Sequence, residues 1–228
     1  MGNIYLVFLT LMCCGLASQA SRDLSGKVFT FPEKGNTAHV RLAPLMSKIL
    51  FSVTVCLRFY SDVRKNDFVL FSMDVPTQSN SFTLFRQYAD NDYYLYVSGE
   101  YGAYHELPFN TNQWNSICAT WDAGTGLSQV TVNNVHSVKT ARHVGASIAG
   151  APIIMLGQDQ DSYGGGFEAT QAFNGHIKDV HMWDHVISAC EVKSYMQGLA
   201  HSSGNYLDWT RMEYSIHGYV LVEDYATC

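Results

Sequence analysis

The sequence is poor in charged residues: Asp, Glu, Lys and Arg make up 15% of its 228 residues, and no run of Lys or Arg occurs. Twenty acidic against fourteen basic side chains leave a net charge of −6, which argues against a protein that binds nucleic acid through its phosphates. Intrinsic disorder is also not indicated, because 47% of the residues are hydrophobic. We therefore expect a folded chain with a sizeable core.

Long apolar runs are lacking too. The stretch Ile4–Met12 has about half of the roughly 18 residues that a membrane span needs. It lies in a segment without charged side chains, and Ser18-Gln-Ala20 then gives the small-x-small pattern of a secretory cleavage site. We predict a signal peptide over residues 1–20, with cleavage after Ala17 as the alternative, and one secreted, extracellular domain over residues 21–228.

The six cysteines show neither a CxxC pair nor the Cys/His spacing of a zinc site. The predicted signal peptide contains two of them, which leaves Cys56, Cys118, Cys190 and Cys228. An even number in an oxidising compartment predicts disulfides. Asn-x-Ser/Thr triplets are absent, so no N-linked glycan is expected.

What the sequence does contain is many short alternating runs. From Phe51 to Tyr60 apolar residues alternate with others, so Phe51 and Val53 begin one face and Ser52 and Thr54 the opposite face. Strands at this spacing, separated by Gly, Asn, Asp and Pro, indicate an all-β, two-sheet antiparallel jelly-roll sandwich of the lectin or laminin-G type. Similar runs occur at 68–71, 82–85, 93–97, 116–121, 128–132, 135–138, 153–156, 176–183 and 219–222.

Two local signals refine this fold. Asn133-Asn134 predicts a two-residue hairpin, because Asn tolerates positive φ angles. Ser188 and Glu191 form the pattern of a capping box, and apolar residues then recur at helical spacing until Gly198. We predict one short helix near residues 189–197.

The segment Gly157–Gln171, here called the acidic loop, brings Asp159, Asp161 and Glu168 together with amide side chains around three successive glycines. Hard oxygen ligands on a sharply turning backbone suit calcium, although the spacing is not that of an EF-hand. From composition alone, a solvated loop whose Asp residues serve turns is an equally good interpretation.

The run Leu156–Glu168, followed by Val180–Asp184, closely resembles the calcium loop and the next strand of the pentraxin family. The family signature His-x-Cys-x-Ser/Thr-Trp-x-Ser/Thr is partly kept, since Ser116 replaces the His and Ala123 the last hydroxyl. Further similar stretches follow in order over nearly the whole domain: Lys27–Pro32, Phe51–Tyr60, Cys118–Trp121 and Leu207–Trp209.

The resemblance implies an intradomain disulfide between Cys56 and Cys118. Cys190 and Cys228 are additions to the family pattern. A second bridge between these two is favoured over a bridge between protomers, which stays the alternative.

The resemblance also implies two Ca²⁺ ions per subunit. Their expected ligands are Asn80, Asp159, the main-chain carbonyl of Gln160, Asp161, Glu168 and Gln171. Ser79 stands where the family has an aspartate, which should weaken the first site. Three carboxylates face four positive charges, so we expect an anionic ligand to complete the neutralisation.

In phosphocholine-binding relatives an aromatic residue and a Glu line a pocket beside the ions. The resemblance places Phe85 at the aromatic position, Val97 at a small threonine and Gly102 at the Glu, with Glu100 near enough to supply the charge. An ordinary core role is the alternative for Phe85.

The function that the resemblance implies is calcium-dependent, lectin-like recognition without enzymatic activity, in innate immunity and the acute phase. Expected ligands are phosphocholine, phosphoethanolamine and acidic glycans on surfaces. The implied assembly is a cyclic homopentamer, and complement components are expected partners. We expect neither nucleic acid as the primary ligand nor a membrane span.

Other classes are less well supported. A laminin-G-like adhesion module would use the same sandwich to bind a protein or glycan. A jelly-roll glycoside hydrolase needs two carboxylates roughly 5–9 Å apart across a cleft, and no Glu-x-Asp-x-x-Glu pattern surrounds Asp159 and Asp161. Zinc at His176, His181 and His185 is disfavoured, because the first two, an odd number apart on one strand, should point to opposite faces.

Overall fold

Two antiparallel sheets packed face to face form the protein, as the computed structural model of residues 21–225 shows. The all-β sandwich with one short helix is thereby confirmed. The predicted signal peptide (1–20) and Cys228, with its predicted second bridge, lie outside the described residues.

The strands pair in two continuous ladders. In chain order the elements are β1 (Lys27–Phe31), β2 (His39–Ala43), β3 (Ser52–Tyr60), β4 (Phe68–Val75), β5 (Gln78–Gln87), β6 (Asp92–Val97), β7 (Glu100–Tyr104), β8 (Trp114–Asp122), β9 (Leu127–Val132), β10 (Val135–His136), β11 (Thr140–Ala141), β12 (Ile153–Leu156), β13 (Gly175–Trp183), α1 (Ala189–Met196), β14 (Glu213–His217) and β15 (Leu221–Asp224). The first sheet has the order β10-β9-β8-β3-β13-β1-β15, with β11 also paired to β9, and the second has the order β14-β2-β12-β4-β5-β6-β7.

The inner faces of both sheets build one apolar core. The predicted alternation in β3 is correct from Val53 to Phe59, whose apolar side chains are all buried there. Phe51, predicted to begin that face, precedes the strand and is 59% exposed. Each sheet therefore has an inner face toward the core and an outer face away from it.

Helix α1 covers the outer face of the first sheet. Ser188 accepts a hydrogen bond from the Glu191 amide while the Glu191 carboxylate accepts one from the Ser188 amide, so the predicted capping box is present. The buried side of the helix packs on the disulfide between Cys56 and Cys118, which confirms that pairing. Cys190 lies in the helix and is exposed.

The predicted hairpin at Asn133-Asn134 joins β9 and β10 with φ angles of 48° and 67°. The opposite-face prediction for His176 and His181 is wrong. A bulge between Lys178 and His181 shifts the register, so the two histidines lie opposite Tyr60 and Cys56, which share a face. They are about four strand residues apart, or roughly 13 Å, too far to bind one ion.

Replacing both Cys56 and Cys118 by Ala should destabilise the fold. The bridge joins residues 62 positions apart, and chain entropy gives about 4 kcal/mol for a loop of that size. Thermal unfolding followed by circular dichroism should show a clearly lower Tm. Cys190→Ser, at an exposed position, is the control, and an unchanged Tm in the double variant would contradict the expectation.

Candidate functional site

The acidic loop follows β12 and lies across the outer face of the second sheet. Gln160 fastens it there: its amide N–H donates to Ser72 Oγ at 3.3 Å, and its Nε2 donates to the carbonyls of Ser72 and Ile153 at 3.2 and 3.1 Å. Gln160 is completely buried, although it belongs to a loop. A polar side chain whose donors bond to two strands holds the loop in a fixed position on the sheet.

Both ends of the acidic loop are tied down. The Phe173 amide donates to the Gly157 carbonyl at 3.0 Å, and the Val69 amide of β4 donates to the Gln171 carbonyl at 3.0 Å. Gly157 has a φ of 90°, and a Cβ there would lie 2.5 Å from the ring of Phe31. This turn therefore requires glycine.

The hairpin between β4 and β5 brings Asn80 to the same place. The β4–β5 register shifts between Met73 and Val75, where three residues of β5 lie opposite Asp74. Asn80 has a φ of 51° and donates its amide N–H to Asp74 Oδ1 at 2.7 Å. Asp74, two positions after Ser72, projects from the same outer face.

Several buried oxygens of this region have no hydrogen-bond partner within the part of the chain that the structure describes. Four of them are Asp74 Oδ2, Asn80 Oδ1, Asp159 Oδ1 and Gln171 Oε1, and Gln158 Oε1 in the acidic loop is unpaired as well. A buried oxygen without a donor is costly, and a group of them provides lone pairs for a cation. Carboxylate and amide oxygens are the donors that calcium takes, so these residues fit that ion.

The carboxylates at the acidic loop are partly buried and repel one another. Burial, with a further contribution from Asp161 and smaller ones from Asp74 and Glu168, raises the pKa of Asp159 to about 6. Burial also raises the pKa of Asp74 to about 6; hydrogen bonds from Asn80 and Ser81 oppose this increase, and Asp161 adds to it. A bound cation would remove this repulsion.

All six predicted ligand residues lie at or beside the acidic loop. Asp159 is buried and Gln171 half-buried, whereas Asp161 and Glu168 are exposed. The site thus has a buried side against the sheet and an open side toward solvent. Sequence reasoning missed Asp74, because the predicted strand ended at residue 71, before the buried aspartate.

The predicted pocket residues are not all brought together. Phe85 lies on the outer face of the second sheet, outside the core. Val97 pairs with Phe82 and faces the core, and Glu100, paired with Val97, lies 3.5 Å from His143 on that other side. The space at Gly102 is taken by Arg142, whose guanidinium would lie 2.7 Å from a Cβ there.

Tyrosines occupy the outer face instead. Tyr94 pairs with Phe85, and the ring of Tyr101 lies 5.4 Å from those of both Tyr94 and Tyr96. Burial and the nearby charges of Asp159, Tyr101 and Asp161 raise the pKa of Tyr96, which places this phenol beside the acidic loop. This wall is aromatic, and it has carboxylates at the Tyr94 end: the Tyr94 hydroxyl donates to Asp90 at 3.1 Å, and Asp92 begins β6.

Another cluster of metal-binding residue types lies under helix α1. Ligand atoms of Asp179, His181 and His201 all lie within 4.8 Å of one another. The three carboxylates of the acidic loop, in the same described chain, do not come that close together. Arg58 donates to Asp179 at 2.9 Å, and His181 Nδ1 accepts from the Gly204 amide at 3.2 Å, which puts the proton on Nε2, toward Asp179. This cluster is a hydrogen-bonded network.

Comparison with known proteins identifies the family. The sequence model of the Pentaxin family matches residues 27–224. The chain belongs to the pentraxin family. Serum amyloid P-component from Bos taurus is 38% identical to this pentraxin over 90% of each chain, and that from Homo sapiens is 34% identical over 97% of each.

Solved structures support the fold of this pentraxin. A native heptameric SAP-like pentraxin from Limulus polyphemus superposes with a TM-score of 0.77 at 23% identity, covering 88% of this chain and 95% of the other. A protein from Bacteroides ovatus described as a putative carbohydrate binding protein gives a TM-score of 0.61 at 15% identity, over 87% and 60%. Between residues 21 and 225, no helix is both long and apolar enough to cross a membrane.

The raised pKa values predict how calcium and protons compete. Asp74 and Asp159 bind protons more tightly in the folded calcium-free protein than when unfolded, so their contribution to its stability falls as pH rises from about 4 to 6. The increase in Tm that calcium produces should therefore shrink as pH falls through 6.

Calorimetric scans with calcium and with excess chelator, from pH 5 to 7.5, measure this difference directly. Asp159→Asn should flatten its pH dependence, whereas Asp62→Asn, at an exposed position away from the loop, should not. A calcium effect on Tm that is equal at pH 5 and 7.5 would contradict the competition.

Proposed function

We propose that this pentraxin is a secreted, calcium-dependent recognition protein without catalytic activity, which binds phosphate-bearing or acidic groups on surfaces through two adjacent calcium ions. The observation that supports this most strongly is the set of unpaired buried oxygens on Asn80, Asp159 and Gln171, gathered beneath an acidic loop. These three residues were expected as ligands from the sequence.

The division of the site into a buried and an open side suits this role. Asn80, Asp159, the Gln160 carbonyl and the buried Oε1 of Gln171 would hold calcium against the sheet, and Asp161 and Glu168 would hold it from the solvent side. Calcium takes six to eight oxygens at flexible geometry. Positions that the protein does not fill are available to oxygens of a phosphate or carboxylate, which is the chemistry that the ions supply.

The tyrosine face narrows the ligand class. Phe85, Tyr94, Tyr96 and Tyr101 offer flat rings beside the acidic loop, and Tyr101 is 58% exposed. Such rings stack on sugars or attract a quaternary ammonium through cation–π interaction. We therefore propose a ligand whose anionic group binds the ions and whose neighbouring ring or ammonium group packs on these tyrosines.

A cyclic homo-oligomer, commonly a pentamer, is proposed as the working form, with a role in innate immunity and the acute phase and with complement components as partners. The Limulus polyphemus pentraxin of the same fold is a heptamer. Identical subunits in a ring present their sites on one face, so that weak single contacts combine into strong binding to a surface.

The direct test is retention on immobilised phosphocholine, phosphoethanolamine and an acidic polysaccharide in calcium, with elution by chelator. We expect retention on at least one of them, reversed by chelator. Loss of binding to all three, or retention that chelator leaves unchanged, would refute the mechanism.

Glu168→Ala and Gln171→Ala should abolish calcium-dependent retention while the circular dichroism spectrum stays that of the folded protein. Glu168 is exposed and Gln171 half-buried, and neither belongs to the apolar core, so truncation removes ligand oxygens without opening the core. Glu223→Ala in β15 and Gln113→Ala just before β8, both exposed and both in the other sheet's part of the chain, serve as matched controls. Normal retention of the two site variants would place the binding site elsewhere.

A further inference from the structure

Asp74 is a fully buried aspartate that no part of the proposed calcium site yet includes. It lies near the end of β4, with Ile153 of β12 opposite it on one side. On the other side the bulged segment of β5, Ser79 to Ser81, curves around its carboxylate. A charged residue inside a strand whose other residues are also buried needs a physical reason.

Local structure explains only half of this carboxylate. Oδ1 accepts the Asn80 amide at 2.7 Å, a bond that an asparagine would make equally well. Oδ2 is buried and has no hydrogen-bond partner. Of the salt bridges formed between residues 21 and 225, none involves Asp74.

The surroundings of Oδ2 identify the missing partner. Asp74 is bonded to the backbone of Asn80, and Ser72, two residues earlier on the same face, is bonded to Gln160, which lies between Asp159 and Asp161. The unpaired carboxylate therefore lies among the oxygens proposed to hold calcium. A divalent cation is the group that satisfies several such oxygens at once.

We propose that Asp74 is a calcium ligand, which supplies through Oδ2 the carboxylate that is lacking at Ser79. This inference rests on the proposed calcium-dependent function and deepens it. Asp74 and Ser79 lie five positions apart on facing segments of one hairpin, so a carboxylate at position 74 would take the place of the one that the family has at position 79. The first site is then not weakened by Ser79.

The charge balance changes as a result. With Asp74 the site has four carboxylates, which match the four positive charges of two calcium ions. An anionic ligand is then not required for neutrality, contrary to the expectation from three carboxylates. Anions would bind because the ions have unfilled coordination positions, so the calcium pair should form before any ligand arrives.

The test is calcium affinity by isothermal titration calorimetry on the full secreted protein without any ligand. Asp74→Asn keeps the acceptor for the Asn80 amide and removes only the charge, and it should weaken calcium binding at least about tenfold, since affinity follows the number of charged ligands. Asp62→Asn is the matched control and should bind as the wild type does.

Ser79→Asp makes the test specific. In the Asp74→Asn background it should recover most of the lost affinity, whereas in the wild-type background it should add little, because the carboxylate is already present. Equal gains in both backgrounds, or wild-type affinity in Asp74→Asn, would overturn the role of Asp74. Absence of calcium binding to the wild type would instead refute the proposed function itself.

Thermal unfolding separates a ligand from a structural residue. If Asp74 is a ligand, Asp74→Asn should have a higher Tm than the wild type in chelator, because it lacks the buried charge without a counter-ion. Calcium should then raise the Tm of the variant less than it raises that of the wild type. A purely structural role predicts a lower Tm in both conditions with an unchanged gain, and that result would overturn the proposal.

Discussion

Burial of carboxylates on one face of a sheet, together with their mutual repulsion, is the constraint on which the site depends. Burial raises the pKa of Asp74 and of Asp159 to about 6, Asp161 adds to both increases, and the backbone hydrogen bonds that they accept offset only part of them. Within the described chain, no Lys or Arg forms an ion pair with any of the three. Such an arrangement is costly without a counter-ion, and a bound cation would relieve that cost.

The sandwich beneath holds the acidic loop in place. Gln160 uses its buried amide to join the acidic loop to β4 and β12, so the loop cannot move away from the sheet to relieve the repulsion. The disulfide and helix α1 stabilise the other sheet, on the opposite outer face. The acidic loop and the disulfide with helix α1 thus lie on opposite sides of the core. The outer face of the second sheet can therefore keep unpaired polar groups that would be destabilising inside the core.

Local signals in the sequence were sufficient for much of the fold, including β3, β12, the hairpin at Asn133-Asn134 and the capped helix. The strands β1, β2, β7, β11 and β14, each of five residues or fewer, were missed. For β1, β2 and β14 the pairing partners also lie far away in sequence. Asp74 was missed for a related reason. An aspartate late in an apolar run ordinarily marks the end of a strand, whereas here the facing bulge allows the strand to continue.

A shift of one residue along a strand decides which side chains face the site, and no local sequence pattern determines that position. Val97, predicted at the pocket, faces the core, whereas Tyr96, one position earlier, lies on the outer face. The outer face therefore offers tyrosines where the resemblance implied a small residue and an acid. If the four carboxylates neutralise the ions, net charge contributes little to selectivity, and packing against the tyrosine rings must distinguish one anionic ligand from another.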